Sequence, residues 1–185
     1  MDKRTVIDGT RRWISSMVIG LNLCPFAQRV FKANKIRYIV SEARDEITLL
    51  KDLAGALEEL VSAPRSRFET TLLIHPYALG HFVDYNNFLD AAERLVEELD
   101  LRGTIQIASF HPNHRFAGTD PSALENYANR SPYPMLHLLR EESISEVASD
   151  PRELLEIPRR NNETLRGLGR DKILKKLEAI ENRPC

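Results

Sequence analysis

Two His-Pro pairs follow apolar segments of the chain, and their imidazoles are the first candidates for chemistry. LLIHP ends in His75 and Pro76, and IASFHP ends in His111 and Pro112. Each apolar run is predicted to be a buried strand, which a proline ends because it cannot donate to the ladder. Open α/β sheets bind ligands beyond the carboxyl ends of their strands, so both imidazoles are expected there. The plain alternative is that each His-Pro pair only ends its strand.

A third histidine allows a metal to be considered. In QIASFHPNHRFAGTD, His114 follows His111 at an H-x-x-H spacing, and Pro112 between them disfavours a helical pair. A loop can still bring two imidazoles onto one metal ion. The third ligand would come from one of three side chains: Cys24, His75 or Asp120. A metal-binding protein using Cys24, His111 and His114 is therefore one alternative interpretation, although no HExxH pattern accompanies it.

A cysteine stands before a proline in LNLCPFA, where a short helix is expected to start with Cys24 as its cap. Unpaired backbone N–H groups and the helix dipole would lower the pKa of this thiol and favour a thiolate. The alternative is an inert cysteine packed between Leu23 and Phe26. If Cys24 lies within hydrogen-bond reach of His111 or His75, these residues form a candidate catalytic site for acyl or thiol chemistry.

The segment ENYANRSPYP and the strand after it carry polar side chains suited to an anion. An arginine takes a carboxylate or phosphate through two parallel hydrogen bonds. The candidates for holding a small anionic substrate are Asn129, Arg130, Ser131 and Arg140. The alternative is structural: Asn129 would end a helix, and Arg130 would pair with Glu141 or Glu142.

These candidates depend on a fold that the hydrophobic pattern predicts. Apolar strands alternate with amphipathic helices, which is typical of an open β-α-β-α-β sheet with parallel strands. If the two strands that end in His-Pro are neighbours, about 4.8 Å apart, their imidazoles could share one ligand. The core strands are expected near 35–40, 70–74 and 104–109, with a fourth strand near 134–140 and extra N- and C-terminal helices. We interpret residues 1–185 as a single domain.

Weaker signals mark the remaining helices. One apolar stripe from Val6 to Leu21 predicts a single N-terminal helix that ends at Gly20 and Asn22. The connecting helices are expected to start at Asp45 and to run over 82–99. Three further helices are predicted: one from Asp120 to about Ala128, a short one from Asp150, and a last one over about 170–181. Ser143 and Glu146 are predicted to form a capping box at a helix start.

The composition excludes several classes of protein. With 26 Lys and Arg against 27 Asp and Glu, the formal net charge of -1 gives no overall attraction to nucleic acid or an anionic membrane. No apolar run approaches the ~20 residues that span a bilayer. Cys24 and Cys185 do not make a disulfide framework, so a reducing cytoplasm is expected. No nucleotide-binding or hydrolase motif indicates a cofactor, and a non-catalytic domain that docks a partner through its basic last helix stays an alternative.

Several motifs together resemble one family of bacterial proteins. They are LNLCPFA, TTLLIHP, FLDAAE, QIASFHP, FAGT and NRSPYPMLHLLREES, and they lie between about residues 10 and 169. The family is catalogued as a domain of unknown function, number fourteen-fifteen. The resemblance implies a stand-alone bacterial protein of about this size, and it assigns no activity. It marks the cysteine, the His-Pro turn and the Asn-Arg-Ser block as motif positions.

Overall fold

The computed structural model describes residues 1–146 and 151–181, with the side chains of all of these except 151–153 and 181. Asp150 and Cys185, for which the sequence made predictions, lie outside the described residues. The helices are Lys3–Trp13 (α1), Ala27–Lys32 (α2), Glu46–Ser62 (α3), Phe82–Glu98 (α4), Glu141–Ser145 (α5), Pro151–Leu168 (α6) and Arg170–Glu181 (α7). The strands are Ile36–Val40 (β1), Thr70–Ile74 (β2), Ile105–Phe110 (β3) and Met135–Arg140 (β4).

The four strands form one open mixed sheet in the order β1-β2-β4-β3. The predicted mixture of helices and strands is confirmed, and each strand begins and ends within one residue of its predicted bounds. β1 and β2 are parallel, whereas β4 runs antiparallel to both β2 and β3. The three predicted core strands therefore share one direction, but β4 lies between β2 and β3. The two strands that end in His-Pro are not neighbours.

The direction of β4 follows from the segment that precedes it. Residues 111–134 stay at the carboxyl ends of β2 and β3, where His111 N–H donates to the Asn129 carbonyl and His75 N–H donates to the Pro134 carbonyl. A strand that enters the sheet from this edge has to run back across it. As a result, Arg140 at the end of β4 lies opposite the start of β3, and Met135 lies opposite its end.

The sheet separates two hydrophobic clusters, because successive strand residues point to opposite faces. Leu73 and Leu136 pack with side chains of α3 and α4 on one face. Leu72 and Ile74 pack with side chains of α1, α6 and α7 on the other face. β2 is buried along its whole length, as predicted, because both faces and both edges are covered. β3 is only partly buried, contrary to the prediction, because it is an edge strand.

The N-terminal helix changes its winding at Trp13. α1 is α-helical to this residue, and a π-helical segment, Ile14–Ile19, continues it. The wider turn brings the backbone close to Gly20, whose N–H bonds the Ser15 carbonyl at 3.0 Å. A Cβ at Gly20 would lie 2.4 Å from the Ser16 carbonyl oxygen, so only glycine fits here. Single π turns of this kind are frequent at functional sites.

Several predicted helix boundaries were wrong, and one cap was right. Asp45 caps α3 by accepting from Thr48 N–H at 2.8 Å, as predicted. Asp120 instead makes a turn by accepting from Ser122 N–H, and the helix after it is a short 3₁₀ segment, Leu124–Ala128. α2 begins at Ala27 rather than directly after Cys24. Ser143 lies inside α5, where its hydroxyl donates to Glu69, so it does not form a capping box. Within the described residues, no helix is long and apolar enough to cross a membrane.

Candidate functional site

His75 and His111 lie at the same edge of the sheet and both contact the ring of Tyr85. Their ring centroids are 5.8 Å and 5.0 Å from that of Tyr85. The Tyr85 hydroxyl accepts from Phe110 N–H and donates to the Met135 carbonyl, each at 2.9 Å. It therefore stands where β3 and β4 would otherwise bond each other directly. The two imidazoles are brought close by a tyrosine from α4, not by neighbouring strands.

Both ring nitrogens of His111 are occupied by backbone groups. Nδ1 accepts from Asn113 N–H at 3.0 Å, which requires the proton to be on Nε2. Nε2–H then donates to the Leu79 carbonyl at 3.1 Å. Leu79 has a φ of 56°, a left-handed conformation that is unusual for leucine. His111 holds this loop in place and has no free lone pair with which to act as a base or a metal ligand.

His75 and His114 are buried imidazoles that lack full hydrogen bonding. His75 Nδ1 donates to the Ala78 carbonyl at 3.1 Å, and its Nε2 has no partner in the described part of the chain. Neither ring nitrogen of His114 has a partner there, and the ring packs edge-on against Phe82 and Phe116. Burial lowers the pKa of each histidine to about 4. Both are therefore neutral at pH 7.

The structure does not bring the residues of the metal interpretation together. No group of three or more His, Cys, Asp or Glu side chains among residues 1–146 and 154–180 could hold a metal ion. His111 uses both ring nitrogens for backbone contacts, and Cys24 packs on the other face of the sheet. Cys24, His111 and His114 therefore do not converge on one position that a metal ion could occupy.

The thiol of Cys24 is close to helix N–H groups, but its environment is apolar. The backbone N–H groups of Phe26 and Ala27 point to it and lower its pKa, as expected at a helix start. Burial in the cluster that contains Trp13 has the larger effect, so the pKa of Cys24 is raised overall. No histidine is among the groups that shift the pKa of this thiol. The geometry gives no nucleophile–base pair with His111 or His75.

Arg130 is the candidate residue whose charge is left available. Its Nε donates to the His114 carbonyl at 3.2 Å and its Nη2 to the Pro121 carbonyl at 2.7 Å. The guanidinium carbon stands 4.5 Å from the centroid of the Tyr127 ring, in a cation–π contact. No carboxylate within the described residues makes an ion pair with it, and Glu142, one of the two predicted partners, pairs with Arg65.

A pocket of about 230 Å³ lies beside Arg130. Most of its wall is aromatic, aliphatic or proline side chain. The lining residues are Trp13, Pro112, Tyr127, Arg130, Ser131, Pro132, Leu177 and Ile180. The indole N–H of Trp13 donates to the Arg130 carbonyl at 2.9 Å, which joins the end of α1 to the arginine segment. The pocket is thus a partly open cleft with a mostly apolar wall and one positively charged lining residue.

The other three anion candidates have different positions. Asn129 Nδ2 donates to the Ser109 carbonyl, so its side chain covers the free edge of β3 next to Arg130. Ser131 lines the pocket, but its hydroxyl donates to the Tyr133 carbonyl at 2.6 Å. Arg140 lies at the opposite end of the sheet, where it bonds the Leu60 and Ala63 carbonyls. Arg140 and Met135 are at the two ends of β4, five residue steps and roughly 17 Å apart.

Six wall residues were not predicted as part of a site: Trp13, Pro112, Tyr127, Pro132, Leu177 and Ile180. Trp13, Leu177 and Ile180 have the apolar character and helical spacing of core residues, so no local signal separates them from the core. They are brought together because α1, the 3₁₀ segment and α7 all pack on the same face of the sheet. The presence of a single tryptophan near the start of the chain was the nearest available indication.

Comparison with known sequences places the chain in one family without adding a function. Searches among curated proteins and among solved structures found no match. A family model matches residues 5–175, which include the whole sheet, Cys24, the histidines and every pocket residue except Leu177 and Ile180. The chain belongs to the family described as protein of unknown function (DUF1415).

Proposed function

We propose that the protein binds a small anionic molecule in the pocket beside Arg130. The observation that carries the proposal is that Arg130 lines a mostly apolar pocket and that its guanidinium has no carboxylate partner among the described residues. This guanidinium is half-buried, so its charge is screened less than at an open surface and attracts an anion.

The donors that Arg130 still has suit a carboxylate or a phosphate. A guanidinium carries five N–H donors in a fixed plane. The bonds to the His114 and Pro121 carbonyls use the Nε–H and one N–H of Nη2, and they fix the orientation of the guanidinium plane. Both donors of Nη1 and the second donor of Nη2 remain. This outer edge is the one that makes two parallel hydrogen bonds with an oxyanion.

In the described part of the chain, neither Arg130 nor Arg12, whose Nε donates to the Ile180 carbonyl of the pocket wall, makes an ion pair. Arg166 pairs with Glu125 at 3.4 Å. Asp120 has its pKa lowered, first by the bonds from Ser122 and then by the charges of Arg115 and Arg170, so this carboxylate lies near both arginines. His114 is neutral at pH 7. The local potential at the pocket is therefore positive because of Arg130 and the nearby Arg12.

Binding, and not catalysis, is the function that the geometry favours. The thiol of Cys24 has a raised pKa and faces no imidazole, and His111 has no free nitrogen. A cytoplasmic location belongs to the same proposal, because Cys24 is a free thiol and a reducing compartment keeps it so. A Cys/His enzyme and a metal protein are not part of it.

Intrinsic fluorescence tests the proposal, because Trp13 is the single tryptophan and lines the pocket. The protein is titrated with phenylacetate, phenyl phosphate and acetate at constant ionic strength. At least one of them is expected to give a saturable change, and Arg130→Gln to weaken it by roughly tenfold or more. Arg130→Lys, which keeps the charge but loses the planar fork, is expected to weaken it less.

Arg170→Gln is the matched control, since Arg170 also bonds a carbonyl of the same loop, that of Ser122, but does not line the pocket. It is expected to leave the affinity within about twofold of the wild type. Far-ultraviolet circular dichroism shows whether each variant folds. The proposal fails if no anion gives a saturable change, or if Arg130→Gln and Arg170→Gln have equal effects.

A further inference from the structure

We infer that the ligand of this pocket is a singly charged carboxylate with an apolar, ring-sized body. This inference rests on the proposed function and adds the chemical class of the ligand. Three features of the pocket support it: its count of charges, the nature of its wall and its volume.

The count of charges favours one negative charge. Arg130 alone among the lining residues is ionised. Two other lining donors are already used, because the Trp13 indole binds the Arg130 carbonyl and the Ser131 hydroxyl binds the Tyr133 carbonyl, and Tyr127 adds one hydroxyl to the wall. A phosphate monoester carries nearly two negative charges at neutral pH and three acceptor oxygens, and it usually requires several donors or a helix N-terminus. A carboxylate is satisfied by the two parallel N–H bonds that Arg130 still offers.

The nature of the wall favours an apolar body next to that carboxylate. Leu177 and Ile180 are three residues apart on α7 and therefore lie on one face of this helix. The indole of Trp13, at the end of α1, adds a flat aromatic surface to the wall. A sugar or an amino acid with a charged amine would place polar groups against these side chains without partners. A hydrocarbon ring or branched chain would not.

The volume gives the size of the part of that body that the partly open pocket can enclose. The pocket measures about 230 Å³. A dry apolar cavity of about 150 Å³ in a protein is large enough for benzene. The remaining space holds a short arm and a carboxylate, so the expected ligand has on the order of ten non-hydrogen atoms. This is smaller than the occupant of a drug-sized site of ~300 Å³ or more.

Four probes separate the features of the ligand in the Trp13 titration at pH 8. Phenylacetate has both the ring and one charge, 2-phenylethanol lacks the charge, acetate lacks the ring, and phenyl phosphate carries a second charge. Phenylacetate is expected to bind roughly tenfold more tightly than each of the other three. Its advantage over 2-phenylethanol is expected to vanish in Arg130→Gln.

A pair of leucine variants tests the apolar wall. Leu177→Ala is expected to weaken phenylacetate roughly fivefold, because it removes part of the apolar contact, and to leave acetate unchanged. Leu174→Ala is the control, since Leu174 lies on the same helix, is 38% exposed and does not line the pocket. A wild-type affinity for phenylacetate in Leu177→Ala, with a loss in Arg130→Gln, would remove the apolar body from the inference.

The outcomes distinguish this inference from the proposal on which it rests. If phenyl phosphate or acetate binds as tightly as phenylacetate and Arg130→Gln abolishes binding, the class of ligand is wrong and the anion site stands. If 2-phenylethanol binds as tightly as phenylacetate and Arg130→Gln changes nothing, the charge is irrelevant and both fail. If no probe binds, both fail as well.

Discussion

The histidine cluster around Tyr85 and the pocket beside Arg130 lie at the same edge of the sheet, yet the fold treats them differently. The cluster contains His75, His111 and His114, three titratable side chains that are buried and neutral. The pocket contains one ionised side chain whose outer edge is open. Residue type alone would rank the two regions in the opposite order.

The two regions differ in how many donors and acceptors of each side chain are already used in hydrogen bonds. His111 uses both ring nitrogens for backbone groups, the Leu79 carbonyl in the loop that follows β2 and the Asn113 N–H in the loop that follows β3. Arg130 spends two donors on the backbone as well, but a guanidinium has three more. The two regions are also connected, because the His114 carbonyl orients Arg130 and His111 N–H bonds the residue before it. The histidines act as the frame in which the arginine is held.

The largest expected effect that separates the regions is the loss of stability in acid. The pKa of His75 and that of His114 are about 4 in the folded protein, below the ordinary value of 6.5. The unfolded chain therefore binds more protons between these values, so stability falls as the pH decreases from about 6.5 to about 4. Each buried imidazole contributes up to about 3 kcal/mol to this loss. Urea denaturation at pH 7, 5.5 and 4.5 measures it.

His114→Phe isolates this effect from that of the carboxylates, whose protonation also destabilises the protein in acid. The variant is expected to be as stable as the wild type at pH 7, since both ring nitrogens of His114 lack partners in the described part of the chain. At pH 4.5 it is expected to be the more stable protein. Parallel pH profiles for the two proteins would show that His114 is not buried in its neutral form.

The next effect concerns the hydroxyl at the centre of the histidine cluster. Tyr85→Phe leaves Phe110 N–H and the Met135 carbonyl without their bridge in a buried place. The free energy of unfolding is expected to decrease by about 2–3 kcal/mol. Tyr77→Phe is the control, because the Tyr77 hydroxyl bonds the Met1 carbonyl at an exposed position, and its cost is expected to be below about 1 kcal/mol. Equal losses in urea denaturation would contradict the bridging role.

A smaller effect on stability is expected at the pocket. Arg130→Gln removes two exposed or half-buried bonds to carbonyls, so the free energy of unfolding is expected to decrease by about 1 kcal/mol. Ligand affinity, in contrast, is expected to be lost. A decrease in the free energy of unfolding as large as that of Tyr85→Phe, with unchanged phenylacetate binding, would show that Arg130 stabilises the fold and does not bind a ligand.

The smallest expected effect concerns the rate at which Cys24 is alkylated. Because burial raises the pKa of Cys24, the fraction of thiolate at pH 7.5 is below that of a model thiol. Alkylation by iodoacetamide, followed by mass spectrometry in a Cys185→Ser variant, is expected to be slower than that of glutathione by a few-fold or more. Faster alkylation than glutathione would restore Cys24 as a reactive group and weaken the contrast between the two regions.

The positions of the strands were predictable because they depend on local patterns. The strand over residues 70–74, TTLLI, is short and nearly continuously apolar, and Asp45 has the side chain that caps a helix. The place of β4 was not predictable, because nothing local in MLHLLR states which strands it pairs with. The helix expected after Asp120 failed for a related reason: Asp120 bonds the backbone two residues on and makes a turn instead.

The candidate site was predicted in part. Arg130 and Ser131 were identified because polar groups in a loop have no packing role, and both line the pocket. Arg140 was grouped with them by closeness in sequence, but an antiparallel β4 carries it to the other end of the sheet. The pKa of Cys24 was expected to fall because helix N–H groups are a local feature, whereas the burial that raises it comes from distant side chains.

The sequence by itself determined where strands and helices form, which loops follow the strands, and which side chains could carry charge or a proton. These properties depend on the period of apolar residues and on residue chemistry, both of which are local. The tertiary structure decided which of those groups have partners. It placed Tyr85 between the imidazoles of His75 and His111, and it placed the Leu79 carbonyl on Nε2 and the Asn113 N–H on Nδ1 of His111. It also placed Arg130 in the wall of a mostly apolar pocket with only two of its guanidinium donors bonded to carbonyls, because contacts between distant segments, and not residue types, decide which donors have partners.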